Sequence, residues 1–299
     1  MKRKAGIKQR FADHLFDAFN TLFLLACLVS VVYPLLYILS CSFSDRLAVT
    51  GGKVWLLPVQ PTLFAYDLVF KYQKVWSGYY NSIVYMVLGT AIGVIITILA
   101  SYPLARRGFV GKKLFSWLFL FTMLFNGGLI PTYLWINDLK MVDTLWVMVV
   151  PGAVSAWNII IMRTYFQSSI PVELFESAEL DGCSDFGMLI RIALPLSGAI
   201  IAVISLFFAV WLWNSYFSAL IYLRTDTKYP LQIILRDILI LNDTTNKMVQ
   251  DVDDMMRKQG IADVLRFVLI VVASAPLLIV YPFVQKYFIK GIMVGSIKG

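Results

Sequence analysis

The sequence predicts an all-α membrane protein of six transmembrane helices. Three observations carry this: six long stretches without Asp, Glu, Lys or Arg, a composition too apolar for a water-soluble domain, and basic residues gathered at particular ends of those stretches. Residues 18–44, 75–105, 114–137, 144–162, 192–223 and 267–285 contain no charged side chain. A spanning helix needs roughly 20 mostly apolar residues, so each stretch can cross a bilayer, the two shortest with little room for tilt. Of 299 residues, 59% are hydrophobic and 15% charged, and mean hydropathy is +0.75, whereas about a quarter of an average soluble chain is charged. Stretches this long and evenly apolar exclude barrel strands, and a closed barrel is the only alternative to helices for satisfying backbone polar groups in lipid. The spans are placed near 18–44, 77–105, 114–137, 144–162, 194–223 and 267–285, making 18–299 a transmembrane domain behind a flank of residues 1–17.

The flank carries Lys2, Arg3, Lys4, Lys8 and Arg10. Its basic start precedes an apolar run too long for a signal-peptide core and lacking a small-residue cleavage site, so the first span reads as a retained anchor. The second connection carries Arg106, Arg107, Lys112 and Lys113 with no acid, and the tail carries Lys286, Lys290 and Lys298. Excess Lys and Arg in short flanks marks the cytoplasmic side, so both termini are expected there. The connection 137–143, with Lys140 as its one base, then falls outside, as do loops 45–76 and 224–266; the connection 168–195 falls inside. Topology accounts for the formal charge of +8, which leaves no need for a nucleic-acid partner.

Several residue groups read as structural. Cys27 and Cys41 sit in or beside a span and Cys183 in a cytoplasmic connection, which gives no disulfide framework. His14, the one histidine, has no ligand partners nearby, and no metal site is expected. Asp251, Asp253 and Asp254 lie among Lys247, Arg257 and Lys258 without the glycine turn of a calcium loop, so they read as a solvated mixed-charge helix. Gly89 and Gly93 form a small-xxx-small pair for close helix packing. Asn126, Gly127, Gly128 and Pro131 should break the third span, and such breaks often line cavities.

The connection 168–195 holds a short polar helix with its own start and stop signals. Ser168 or Ser169 is expected to cap it, Pro171 suits its first turn, Glu173 complements the positive end of the helix dipole, and Gly182 can take a left-handed stop. At about 100° per residue, Phe175, Ala178 and Gly182 share one face, while Glu173 and Glu176 lie away from it. Small residues at 178 and 182 would admit another surface, with Phe175 as anchor. The same stripe would also suit a helix lying on the membrane interface. Such helices carry Lys and Arg on their polar face, however, and this one carries Glu173, Glu176, Glu179 and Asp181, which an anionic leaflet repels. Docking to a cytoplasmic protein is the favoured reading.

These residues resemble a known family. Glu176-Ser-Ala-Glu-Leu-Asp-Gly-Cys-Ser, followed by Arg191-Ile-Ala-Leu-Pro195, is similar to the EAA loop of ATP-binding-cassette importer permeases of type I fold, with Ser177 where the family usually has Ala. The resemblance implies that the helix is a coupling helix docking into a cleft of a cytoplasmic ATPase through Phe175, Glu176, Ser177, Ala178, Asp181 and Gly182. Asn81-Ser82, Trp213-Asn214 and the ending from Tyr281-Pro282 to Gly299 resemble carbohydrate-type permeases of the maltose-permease G-subunit group. Asn126-Gly-Gly-Leu-Ile-Pro131 and Asp143-Thr-Leu-Trp146 are similar to its oligosaccharide and polysaccharide branch. The likeness further implies a bacterial cytoplasmic-membrane location, a second homologous permease, two ATPase copies and an extracytoplasmic solute-binding protein. It also implies a tail, Gly295, Lys298 and Gly299, that reaches the ATPases.

The chain contains no Gly-x-x-x-x-Gly-Lys-Ser/Thr loop, and 108–113 has neither its spacing nor its final hydroxyl. ATP and magnesium are therefore expected on a partner, with no cofactor bound here and no enzymatic activity in this chain. Spans without carboxylate or histidine offer no proton relay, which weighs against the alternative, an ion- or proton-coupled secondary transporter needing no ATPase. Asn126, Asn158, Trp211, Asn214 and Tyr216 offer hydrogen bonds and stacking faces to a sugar along the pathway; packing and interfacial anchoring explain the same residues equally well.

Overall fold

The computed structural model describes residues 11–247 and 252–296, and all regular structure among them is helical. Helix α1 (Phe11–Ser42) follows the first apolar stretch and exposes most of its length, including Phe16, Leu22 and Leu35. Helix α2 (Arg46–Thr50) starts where Asp45 Oδ1 accepts from the Leu47 amide at 2.8 Å. Helix α3 (Phe64–Lys71) precedes the 33-residue α4 (Gln73–Ala105), whose Pro103 lies in its last turn. The third stretch divides into α5 (Lys112–Leu124) and α6 (Leu129–Asp138), which meet at 114°. The break falls at Asn126–Gly128, as the residues there predict, and Asn126 Oδ1 accepts from the Gly128 amide at 2.9 Å. Pro131 is tolerated in the first turn of α6, where amides have no intrahelical acceptor.

The fourth stretch departs from expectation. In place of one helix over 144–162 there are α7 (Leu145–Val149) and α8 (Ala156–Ser169). Between them lie Pro151, which has no amide to donate, and Ser155, whose Oγ accepts from the Asn158 amide at 3.3 Å and restarts the helix. Next come α9 (Val172–Leu180), α10 (Asp185–Met188), a π-helical turn (Leu189–Ala193) and α11 (Leu194–Leu196). After an 83° bend the chain enters α12 (Gly198–Trp213) and α13 (Tyr216–Tyr222), then α14 (Leu231–Lys247) and α15 (Val252–Ser296). Among the described residues, three helices are long and apolar enough to cross a membrane, or five when each bent pair counts as one crossing.

Contacts divide the chain into two units, Met1–Lys71 with Leu239–Val272, and Tyr72–Ile238 with Ala273–Gly299. In the first, Cys41, Ala48 and Val54 are buried with Tyr37, Val59 and Phe267, and the Tyr37 and Phe267 rings meet edge to face at 5.8 Å. The loop after α1 is pinned to its end: Ser40 Oγ donates to the Leu56 carbonyl at 2.6 Å, and the Val59 amide donates to Ser44 Oγ at 3.0 Å.

In the second unit α4 packs on α12 and α8. Gly78, Ser82, Tyr85, Gly89, Gly93, Thr97 and Ser101 form its buried stripe, at three- and four-residue steps. A Cβ at Gly89 would lie 2.6 Å from Leu212, and one at Gly93 would lie 2.8 Å from Phe208, so the glycine pair is a packing seat for α12. At the far end of α4 the segment 224–231 is fastened down. Asn81 Nδ2 donates to the Thr227 and Tyr229 carbonyls at 2.7 and 3.0 Å, Tyr85 donates to the Lys228 carbonyl at 2.7 Å, and Ser82 Oγ accepts from the Leu231 amide at 2.9 Å. Asp143 holds the same segment from α6–α7: it accepts from the Arg224 amide at 3.0 Å, the Thr225 hydroxyl at 2.6 Å and Lys228 Nζ at 3.0 Å.

Candidate coupling site

Helix α9 begins differently from the sequence expectation. Ser168 and Ser169 belong to α8, and Pro171 occupies the N-cap position with no side-chain cap bond. The C-terminus ends as anticipated, with Gly182 at φ +74°. The Cys183 amide donates to the Ala178 carbonyl at 2.9 Å and the Gly182 amide to the Glu179 carbonyl at 3.0 Å, a Schellman closure of the kind a left-handed residue permits.

Phe175 and Ala178 do share a face, but that face turns toward the chain's own core. Phe175 is 8% exposed and packs in a cluster with Tyr102, Phe166, Met188 and Leu189, with Ala178 and Cys183 at its edge. The Tyr102 ring lies 6.3 Å away, and the Arg106 guanidinium stands 4.6 Å over the Phe175 ring, a cation–π contact. Phe175 is thus the bolt that fixes α9 to the end of α4 rather than a free anchor. Arg106 also pairs with Glu179 and, at 3.7 Å, with Asp185, while Tyr102 donates to the Asp185 carbonyl at 3.2 Å. The acids of this loop and the bases after α4 therefore occupy one end of the unit. A cleft of 1110 Å³ opens there, lined among others by Tyr102, Arg106, Lys112, Phe175 and Glu179.

The outward side of α9 consists of Glu173, Leu174, Glu176, Ser177, Leu180 and Asp181, all exposed. Leu180 is 90% exposed, on the side of the helix away from Phe175. Sequence reasoning missed it, although its 140° offset from Phe175 around the helix was available from the periodicity. Tyr102 and Arg106 carried no such signal, because the Arg106–Glu179 pair spans 73 positions.

The five residues proposed for a pathway do not form one site. Trp211 and Asn214 share a hollow of 720 Å³ with Phe207, Ser215 and Phe217. The Trp211 ring lies against Gly152, where a Cβ would stand 2.1 Å from it, and Asn214 Nδ2 donates to the Val210 carbonyl at 2.9 Å. Asn126 lies in the exposed α5–α6 break, Asn158 is buried near the start of α8, and Tyr216 is half-buried against the core cluster that includes Tyr85, Ile136 and Val147. In the tail, Gly295 lies within α15; Lys298 and Gly299 fall outside the described residues, as do Lys2 to Arg10 and Asp251.

Residues 90–294 match the binding-protein-dependent transport system inner membrane component family. The chain belongs to that family. It is 41% identical over 288 residues to the Bacillus subtilis (strain 168) protein LplC, covering 96% of each chain. It is 38% identical to the polygalacturonan/rhamnogalacturonan transport system permease protein YtcP of the same organism, over 98% of this chain and 100% of that one. Among solved structures, a chain of a bacterial ABC transporter involved in import of the acidic polysaccharide alginate superposes with a TM-score of 0.84 at 33% identity, over 95% of this chain and all of that one. Membership makes this a multi-pass membrane permease component that is not itself catalytic. It also leaves the ion-coupled carrier reading without support.

Proposed function

We propose that this chain is one transmembrane half of an ATP-driven, binding-protein-dependent importer of oligosaccharides or polysaccharides, and that α9 is its coupling helix. In this reading six crossings are made by α1, α4, the α5–α6 pair, α7 with α8, the run from α11 to α13, and α15, with both termini cytoplasmic. A second homologous permease completes the pathway, an extracytoplasmic solute-binding protein delivers the sugar, and two copies of a cytoplasmic ATPase bind ATP and magnesium. Relatives named for rhamnogalacturonan and alginate transport support a glycan cargo rich in uronic acid. The hollow holding Trp211 and Asn214 suits sugar stacking and hydrogen bonding at the α12–α13 break.

The observation that carries the coupling role is the two-sidedness of α9. Phe175 and Arg106 lock one side to the end of α4, so the helix moves with the bundle, while Leu180, Ser177, Glu176 and Asp181 are left free to contact a partner. Closure of the ATPase pair would pull α9, and α4 would carry that displacement into alternating access. The tail at Gly295 to Gly299 would add a second ATPase contact. Leu180→Cys, in a chain carrying Cys183→Ser, should cross-link to the ATPase in membranes of cells making the full complex. A Leu180→Glu chain should insert normally yet lose ATPase co-purification and uptake. Normal uptake and co-purification by Leu180→Glu, with no cross-link from Leu180→Cys, would overturn the role.

A further inference from the structure

We infer that the groove between the first turn of α5 and the middle of α8 is a binding site for the headgroup of an anionic phospholipid, formed by Arg163, Lys112 and Ser116. Arg163 stands one residue beyond the charge-free stretch 144–162, where an ionised side chain without a counter-charge is costly. Its Nη1 donates to Ser116 Oγ at 3.0 Å, and its Nε is buried without a partner. Ser116 Oγ in turn donates to the Lys112 carbonyl at 2.6 Å, so the hydroxyl is oriented to accept from Arg163. Among the described residues, Lys112 Nζ donates to the Arg106 carbonyl at 3.3 Å. Among the described residues neither cation pairs with a carboxylate; the nearby acids Glu179 and Asp185 are taken by Arg106.

The Ser116 hydroxyl seats the Arg163 guanidinium on the backbone turn that carries Lys112, and among the described residues neither of these partly buried cations has a carboxylate partner. A phosphate diester fits: a guanidinium can donate two parallel hydrogen bonds to it while an ammonium neutralises it from the side. The surroundings select a lipid over a soluble anion or an acidic peptide. Leu114, Phe115, Trp117 and Leu118 are exposed around the groove and lie in the apolar stretch, a surface for acyl chains. Trp117 has the place of an interfacial aromatic at headgroup depth, and Lys113 is exposed beside it. Basic pockets between spans on the cytoplasmic side are a recurrent setting for anionic headgroups. Only the choice of leaflet rests on the topology proposed above.

The test uses the purified complex in nanodiscs of mixed phosphatidylglycerol and phosphatidylcholine, with co-purifying lipid measured by native mass spectrometry. The intact protein should retain phosphatidylglycerol in preference to phosphatidylcholine. The Arg163→Gln/Lys112→Gln chain should lose about thirtyfold of that preference, taking about 1 kcal/mol per basic residue at a membrane surface. Lys140→Gln, at an exposed base of another connection, should leave it unchanged. Equal retention by the double variant would overturn the site, and displacement of the lipid by inorganic phosphate alone would overturn its assignment to a lipid. A measurement on the otherwise intact protein guards against a variant that fails to assemble. The Trp117 fluorescence, taken as the difference from Trp117→Phe, should be quenched more by brominated phosphatidylglycerol than by brominated phosphatidylcholine. Equal quenching by the two lipids would count against the site.

Discussion

Replacing Phe175 by alanine separates the two sides of α9. The residue is 8% exposed and is the one buried side chain on a nine-residue helix too short to persist alone in water. Buried Phe→Ala changes cost about 3–5 kcal/mol, and the open cleft beside this ring allows some collapse, which places the cost near the lower limit. The cation–π contact with Arg106 adds about 0.5–1 kcal/mol at a partly exposed site. A loss of about 3 kcal/mol confined to the docking of α9 raises its undocked population roughly a hundredfold. Amide hydrogen exchange in the assembled complex reads this directly: amides of residues 177–183 should exchange about a hundred times faster, while the buried stripe of α4 keeps its protection. Uptake should fall, because force on a loosened α9 no longer reaches the bundle. Leu180→Ala is the control, expected to weaken ATPase association without changing exchange in the free permease. Unchanged exchange at 177–183 in Phe175→Ala would refute the claim that this ring fastens the helix.

Other outcomes follow from the same geometry. Gly93→Leu would drive a side chain into the Phe208 ring, and overpacking of about 1–3 kcal/mol should lower the thermal midpoint of the purified complex, with Gly89→Leu acting similarly against Leu212. Gly152→Ala must displace the Trp211 ring, so tryptophan emission should shift and uptake should drop while ATPase binding is retained. Gly182→Val forces a branched residue to φ near +74°, at about 1–2 kcal/mol or more, and should uncouple uptake without preventing insertion. The Asp143 carboxyl is held well below the usual carboxylate range by the Thr225 hydroxyl first and the Arg224 amide next. A depressed pKa stabilises the latch above the unfolded carboxylate value of about 4, and that contribution is lost as pH falls below it. Protection factors in 224–230, measured against the intrinsic rate at each pH, should therefore stay high at neutral pH and fall only in strong acid. Asp143→Ala should show fast exchange there at all pH values, together with new tryptic cleavage after Arg224 and Lys228.

Much of the architecture was legible because lipid imposes a simple rule on composition. Charge-free lengths located the apolar segments, the Asn126–Gly128 break was readable from residues that cannot continue a helix, and Gly89 and Gly93 announced a close helix contact. The fourth stretch misled because counting charges ignores Pro151, which interrupts the hydrogen-bond ladder as surely as a polar run would. For α9, periodicity gave the membership of each face but not what lies opposite it. The apolar face of an isolated helix is equally suited to a partner and to its own bundle, and only the placement of Tyr102 and Arg106 decides between them. Ser168 and Ser169 looked like caps because the end of α8 is not marked by a glycine; α8 runs on to the residues just before Pro171.

Helix α4 has a mechanical consequence. Its 33 residues span about 50 Å, with Asn81, Ser82 and Tyr85 gripping the 224–231 segment near one end and Tyr102 with Arg106 gripping α9 at the other. A rod of that length converts a tilt of about 5° into a sweep of about 4 Å at its tip. Under the proposed coupling role, a small rocking of this one stiff lever, clamped at both extremities, would carry displacement from one face to the other without melting any structure.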